Sequence, residues 1–593
     1  MKTSKYISAV LLFLLTSALS LQAQDTIRNR SVSVQREYRP VIQNAGKIKS
    51  MPQVLEPNVE KSPAVYSNFN LPLNAAYNIH TLPAAVLVTD KPANVDNGYA
   101  RIGLGNYTNT LADFAYPLIN AADARLDFSL NHLATFEEKR MHSTTRANLS
   151  FDKLFSSFDL YAGIGGGHEY LKYYGNYYNG GDSAINIKGL GLNYGNSIYS
   201  EKSREGVVTL PRFFNLKSLS NDSTSDTFWR FNALMGVRSL PQSSDFRYKA
   251  EVQYQAFSSN NGLSENLVHT VAGLSSPIQT NRMGLDFDMY NMMYSSAHIP
   301  AFNYWKSSTV MMLNPYYSID RPEYNVRLGL KTSLSFVHGK FSNPSVDIHA
   351  EWKAVPEYFS LYGGLTGNYE VNTLNKTFSE NPYMYSDLRL DNTYTPVEFY
   401  AGLKLKPIYN LMLDAYIDYK QIDNQYFFTN KGYSLANSPI AMPAADSVLF
   451  SNRFNVVYSS ATRFKMGVRA NYNLQNVVNV ELKWAYNAWH VDNQQYAWNM
   501  PKYEAQLNTD IHINSDFTLS ANMYYEGIRY AKLGYRAITM NDKVDINLGA
   551  AYSYTKWLTV FGKINNLINK KYQDYYGYDV QGTNMMVGAT FSF

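Results

Sequence analysis

The chain has 593 residues, no cysteine and a formal net charge of +5. Disulfides, cysteine-ligated metals, a thiol nucleophile and a lipid anchor on an N-terminal cysteine are excluded. So small a charge on so long a chain gives no footing to nucleic-acid binding.

Fifty tyrosines and thirty phenylalanines dominate the composition. Such side chains collect at membrane interfaces and form the girdles of β-barrels. The mean hydropathy is only −0.32, as expected where each spanning strand is half polar.

Taken in order, residues 1–23 read as a signal peptide. Lys2 and Lys5 precede an apolar run from Ile7 to Leu21, and Ala23 offers a small residue for cleavage. The run is shorter than the roughly twenty residues a membrane-spanning helix needs. Residues 24–97 hold seven prolines, from Pro40 to Pro92. Proline removes ladder donors and favours extended backbone, so an extended periplasmic arm is predicted. Within it, Ser31 to Val34 is a candidate energy-coupling box; the plainer reading is a tether.

From Gly98 to Phe593 the sequence alternates with a period of two, the mark of strands with one apolar and one polar face. Tyr324, Val326, Leu328 and Leu330 oppose Arg327 and Lys331. Phe464, Met466 and Val468 oppose Lys465 and Arg469, and Val480, Leu482 and Trp484 oppose Glu481 and Lys483. Charges of both signs keep to one parity. A charge facing lipid costs a few kcal/mol at mid-depth, whereas one facing a wet lumen costs little. Arg327, Lys331, Lys465, Arg469, Glu481 and Lys483 are therefore the lumen-facing candidates. Backbone groups in a bilayer must pair, so this many strands implies a closed antiparallel barrel.

Connections alternate in length. Short ones are expected near 155–158, 407–410, 474–477, 514–516 and 554–557, and long ones over 199–226, 371–395, 421–446, 488–501 and 567–582. Short periplasmic turns and long external loops are the habit of outer-membrane barrels. Both termini then lie in the periplasm.

No constellation points to chemistry. Gly163 to His168 reads GIGGGH but lacks the Gly-Lys-Ser/Thr of a phosphate loop, so its glycines are read as part of a strand. Asp286, Asp288 and Arg282 share one parity and suit a charge-balanced wall better than a cation site. The scattered histidines support no zinc. No catalytic residue, metal site or cofactor is expected. Two tyrosine-rich stretches, Tyr170 to Tyr174 and Tyr572 to Tyr578, are read as interface girdle; stacking on sugars or packing against a partner are the alternatives.

The C-terminal stretch carries a resemblance. Residues 563–582, KINNLINKKYQDYYGYDVQG, followed by GATFSF at the terminus, resemble the end of bacterial TonB-dependent outer-membrane receptors. Phe593, with Phe591 before it, resembles the signal by which the outer-membrane assembly machinery recognises its clients. The resemblance implies a 22-stranded barrel, a plug domain, nutrient uptake across the Gram-negative outer membrane and a periplasmic energy-coupling partner. Counting alternating segments alone gives about 24 strands, and the resemblance favours 22. Here the chain departs from the family, because a proline-rich segment the length of 24–97 cannot form the family's plug. The run 31–52, SVSVQREYRPVIQNAGKIKSMP, resembles an N-terminal motif of plug-poor barrels of Bacteroidota. Two alternatives stay open: a non-transporting barrel that scaffolds a surface lipoprotein or envelope complex, and a plugless porin-like channel.

Overall fold

The computed structural model describes residues 98–593, apart from 138–139, 176, 180–183, 186–224, 241–244, 261, 297–306, 338, 386–387, 389, 435–447, 475–476 and 534–535. The expected signal peptide, the proline-rich arm with Ser31 to Val34, and nearly all of the 199–226 loop lie outside the described residues.

Alternating sequence becomes alternating exposure. In Tyr324–Ser335 the side chains of Tyr324, Leu328 and Leu330 are exposed, while Ser333 and Ser335 on the other parity are buried. The main sheet contains 24 strands, each pairing antiparallel. Two of these, Tyr177–Asn179 and Ala184–Ile185, form a short hairpin hung on Val448–Leu474, which leaves 22 in the wall.

The wall closes on itself. Tyr99–Gly105 pairs with Asn584–Ser592 from Tyr99↔Ser592 to Gly105↔Met586. The Phe593 backbone N–H donates to the Gly98 carbonyl at 3.0 Å, and its ring stacks on Tyr116 with centroids 5.8 Å apart. A closed sheet with large exposed apolar side chains along one parity leaves no strand edge unpaired and needs a hydrocarbon solvent. The chain is an outer-membrane β-barrel.

Tight turns fall at the expected places, for example between Leu154 and Phe158 and between Ser553 and Leu558. One expected loop is corrected. Its described part, 421–434, is strand: Leu411–Ser434 is 24 residues long and Val448–Leu474 is 27, and they pair as one ribbon rising beyond the wall. Along this ribbon Tyr426, Phe427 and Phe428 are all buried. With both faces covered, the period of two disappears from the sequence. Three smaller elements sit at the same end: a seven-residue helix, Leu374–Glu380, a hairpin of Arg529–Leu533 with Arg536–Met540, and another of Gln573–Tyr575 with Tyr578–Asp579.

Candidate functional site

At the long-loop end, four connections interlock into a cap. The helix Leu374–Glu380 begins on Thr373, whose hydroxyl accepts from the Lys376 N–H at 3.1 Å. Its first turn is held by Glu265, which accepts from the Leu374 and Asn375 N–H groups at 2.7 and 3.3 Å. Glu265 belongs to Leu263–Ile278, far around the ring. Phe378 then packs against both Phe228 and Phe257, each ring centroid 5.3 Å away.

Beyond the helix the chain adds to the rising ribbon. The Tyr385 N–H donates to the Phe454 carbonyl at 2.8 Å and the Phe454 N–H to the Tyr383 carbonyl at 2.9 Å. From the last loop, Tyr578 stacks on Tyr383 with centroids 3.6 Å apart, and its hydroxyl donates to the Asn452 carbonyl. Tyr575 donates to the Glu380 carbonyl at 2.9 Å, and Tyr174 to the Asp579 carbonyl at 2.9 Å. Gly175 admits the Tyr578 ring, since a Cβ there would lie 2.6 Å from it.

A second apolar cluster covers the other face of the ribbon, where Phe427 packs with Val491, Ala497 and Trp498. Asn499 donates to the Phe428 carbonyl at 2.7 Å. The buried Arg529 guanidinium donates to the Asp574 and Gln573 carbonyls at 2.9 and 2.7 Å, joining two loops by charge-assisted bonds. The tyrosine-rich stretches expected as girdle are thus corrected: Tyr173, Tyr575 and Tyr578 are packed inside the cap. Their composition is the same in either place, so the sequence alone did not separate the two.

Burial holds the Tyr383 and Tyr575 hydroxyls well above the usual phenol range and raises the Glu380 carboxyl above the usual carboxylate range. For Glu380 the folded cap therefore binds the proton more tightly than the open one. The cap's stability is fully present below the ordinary glutamate range and declines as pH rises through the raised Glu380 titration. Hydrogen exchange across 371–392, corrected for intrinsic rates, is expected to show protection falling with pH. In Glu380→Gln, which keeps the neutral form, that slope should be shallower.

Below the cap lies the polar parity of the wall. Its most connected group is Asp347, whose side chain is 2% exposed. It receives Lys331 Nζ at 2.8 Å, His349 Nε2 at 2.7 Å and Arg327 Nε at 3.2 Å. Arg327 also reaches Asp286 at 2.7 Å. Asp288 meets His269 at 3.2 Å, and Arg282 donates to the Asp245 carbonyl at 2.9 Å. The two aspartates therefore face cationic or basic side chains of the chain itself.

The six sequence candidates do not form one site. Arg327 and Lys331 share Asp347; Lys465 meets Glu504 at 3.4 Å; Arg469 meets Asp414 at 3.5 Å; Glu481 and Lys483 pair with each other at 2.7 Å. Removing Asp347 leaves two cations without their shared partner. Asp347→Ala is expected to cost about 3 kcal/mol, read as a lower denaturant midpoint in lipid vesicles.

A repeated arrangement went unnoticed in the sequence. Tyr161, Tyr316, Tyr362 and Tyr416 stand directly opposite Gly236, Gly284, Gly402 and Gly467 on neighbouring strands. Each ring fills the space over its glycine, where a Cβ would fall 2.3–2.6 Å from the ring atoms or hydroxyl. A cation covers each ring: Arg238, Arg327, Lys404 and Arg469 at 5.5, 3.7, 4.9 and 4.8 Å from the centroids. All four tyrosines lie near the tight-turn ends of their strands. The available signal was a glycine on the polar parity opposite a tyrosine.

No protein-family model matches the chain. Solved structures share its fold. It is similar to the ferripyoverdine receptor of the Pseudomonas aeruginosa outer membrane, at TM-score 0.56 and 11% identity over 85% of this chain and 72% of that one. The siderophore receptor PirA of Acinetobacter baumannii gives 0.58 and 10% over 85% and 81%. The ferric-catecholate import receptor Fiu of E. coli gives 0.57 and 10% over 85% and 82%. The chain shares the barrel fold of these outer-membrane proteins.

Proposed function

We propose that this chain is a nutrient-uptake receptor of the Gram-negative outer membrane, of the TonB-dependent type in its Bacteroidota form, whose mouth is sealed by its own loops. The observation that carries the reading is the cap of interlocked external loops over a 22-stranded ring. A ring of that size is too wide for wall side chains to fill. Receptors are also what the similar structures are named as, and import is the printed role of one of them.

Contacts that pass over a whole strand support a polar lumen. Tyr161 donates to Glu251 at 2.7 Å across Ser225–Ser239, and Tyr362 to Asp414 at 2.7 Å across Thr393–Ile408. Side chains converge this way on the concave face of a curved sheet and diverge on the convex one. On this reading Arg327, Lys331, Lys465, Arg469, Glu481 and Lys483 line the lumen, where their fields tune the passage of solute. Residues 1–23 are read as the signal peptide and 24–97 as a periplasmic arm in place of the family's plug sequence. Ser31 to Val34 is the contact for a periplasmic energy-coupling protein, and Phe591 with Phe593 is read by the assembly machinery.

Conductance of the purified barrel in planar bilayers tests this. The intact chain should be closed, and should stay closed without residues 25–97. Loosening the cap should open it. An open intact pore would sink the capped reading. Opening only on loss of the arm would hand the closing role to the arm. Closure in every form, the loosened cap included, would favour a scaffold for a surface lipoprotein.

A further inference from the structure

On the apolar parity, beside the seam, the wall is notched. Ala550 stands opposite Gly562, and Gly562 opposite Val587, so two successive strands present almost no side chain at one height. A Cβ built on Gly562 meets nothing within 4 Å. Tyr552 and Val560, each about half exposed, and Val587, 68% exposed, rise around this floor. The groove so formed has a volume of about 600 Å³ and runs down to Tyr554. That is within the roughly 300–1,000 Å³ of small-ligand sites, although this one opens sideways from the wall.

Its lower end meets the tight turn between Ser553 and Leu558. There Tyr554 is 70% exposed and Trp557 is 55% exposed, as aromatic side chains at a membrane interface are. Lys556 is exposed at the same turn and meets no carboxylate among the described residues. An apolar trough ending at a pair of aromatic rings and an unpaired cation has the polarity of one amphiphile, with its chain along the trough and its negative head at the ammonium.

The structure assigns this groove to an acyl chain of an anionic glycerophospholipid, whose phosphate lies at Lys556. The assignment rests on the outer-membrane reading, which puts the tight turns in the periplasmic, phospholipid-bearing leaflet. Ala550 and Gly562 make room for the chain, Tyr552 and Val587 wall it in, and Tyr554 and Trp557 border the glycerol region. The bound lipid would pack against the strand that closes on the first and against the hairpin before it.

The test uses the full-length protein in vesicles of phosphatidylethanolamine doped with phosphatidylglycerol carrying a photoreactive acyl chain. After illumination, adducts are mapped by peptide mass spectrometry. Wild type should concentrate adducts on 550–562. Gly562→Trp, which fills the trough, should abolish that excess. Lys556→Glu, in an exposed turn, should lower it about fivefold or more, the loss of one cation at a lipid surface. Both variants must retain heat-modifiable mobility on gels. Adducts spread evenly over the apolar belt, or a 550–562 excess that neither variant moves, would overturn the groove while leaving the barrel intact. Labelling of 550–562 by a photoreactive lipid A probe and not by the phospholipid would also overturn it. A chain with no adducts on its apolar belt would instead sink the membrane reading on which the groove depends.

Discussion

Tyr578→Ala should release the cap and leave the barrel standing. Tyr578 is fully buried, stacks on Tyr383, fills the space over Gly175 and donates its hydroxyl to the Asn452 carbonyl. It therefore joins the last loop, the loop after Phe359–Glu370, the end of Phe158–Lys172 and the rising ribbon. Truncating an aromatic in such a position costs about 3–5 kcal/mol. If cap opening is a separate local equilibrium, that cost raises the open population by about a hundredfold or more. The wall strands are not touched, so the barrel's own unfolding should shift little. Hydrogen exchange over 371–392 and 566–583 should accelerate together, and large antibiotics that an intact outer membrane excludes should enter cells. Tyr578→Phe keeps the ring and loses one hydrogen bond, worth about 1 kcal/mol, so it should behave nearly as wild type. Exchange that accelerates in one loop alone would show that the two loops do not open as a unit.

The wall was legible because the membrane enforces it. Lys465 and Arg469 alternate with Phe464, Met466 and Val468 since one face meets lipid and the other does not. That constraint acts residue by residue and needs no knowledge of partners. The cap obeys no such rule. Glu265 finds the helix N-terminus at Leu374 across 109 residues, and Tyr575 finds Glu380 across 195. Nothing local announces those partners. At Tyr426 to Phe428 a ribbon buried on both faces reads as a loop, because its alternation is gone. The candidate lumen charges were identifiable one at a time by parity. Their grouping was not, because Asp347 and Asp414 become hubs only once neighbouring strands are in register.

Register at the seam gives the other large effect. Gly588 lies opposite Gly103 where the last strand meets the first. A Cβ at Gly588 would fall 2.1 Å from the Ile102 carbonyl oxygen and 2.8 Å from the Gly103 Cα. These are backbone atoms within the closing ladder, and they cannot withdraw without breaking it. Overpacking in a core typically costs 1–3 kcal/mol, and more where the backbone itself must move. Gly588→Val is therefore expected to prevent closure: no heat-modifiable band, and degradation in the cell. Gly103→Ala meets only the flexible Met586 thioether at 3.0 Å and the Phe561 ring edge at 3.3 Å, so it should close with a modest loss of stability. Gly562→Ala, facing open space, should match wild type. These three glycines lie within one small area of wall yet differ in what a methyl group would strike. A graded outcome in that order would tie closure to the Gly588 contact, whereas a normally folded Gly588→Val barrel would mean that the first and last strands meet in a different register.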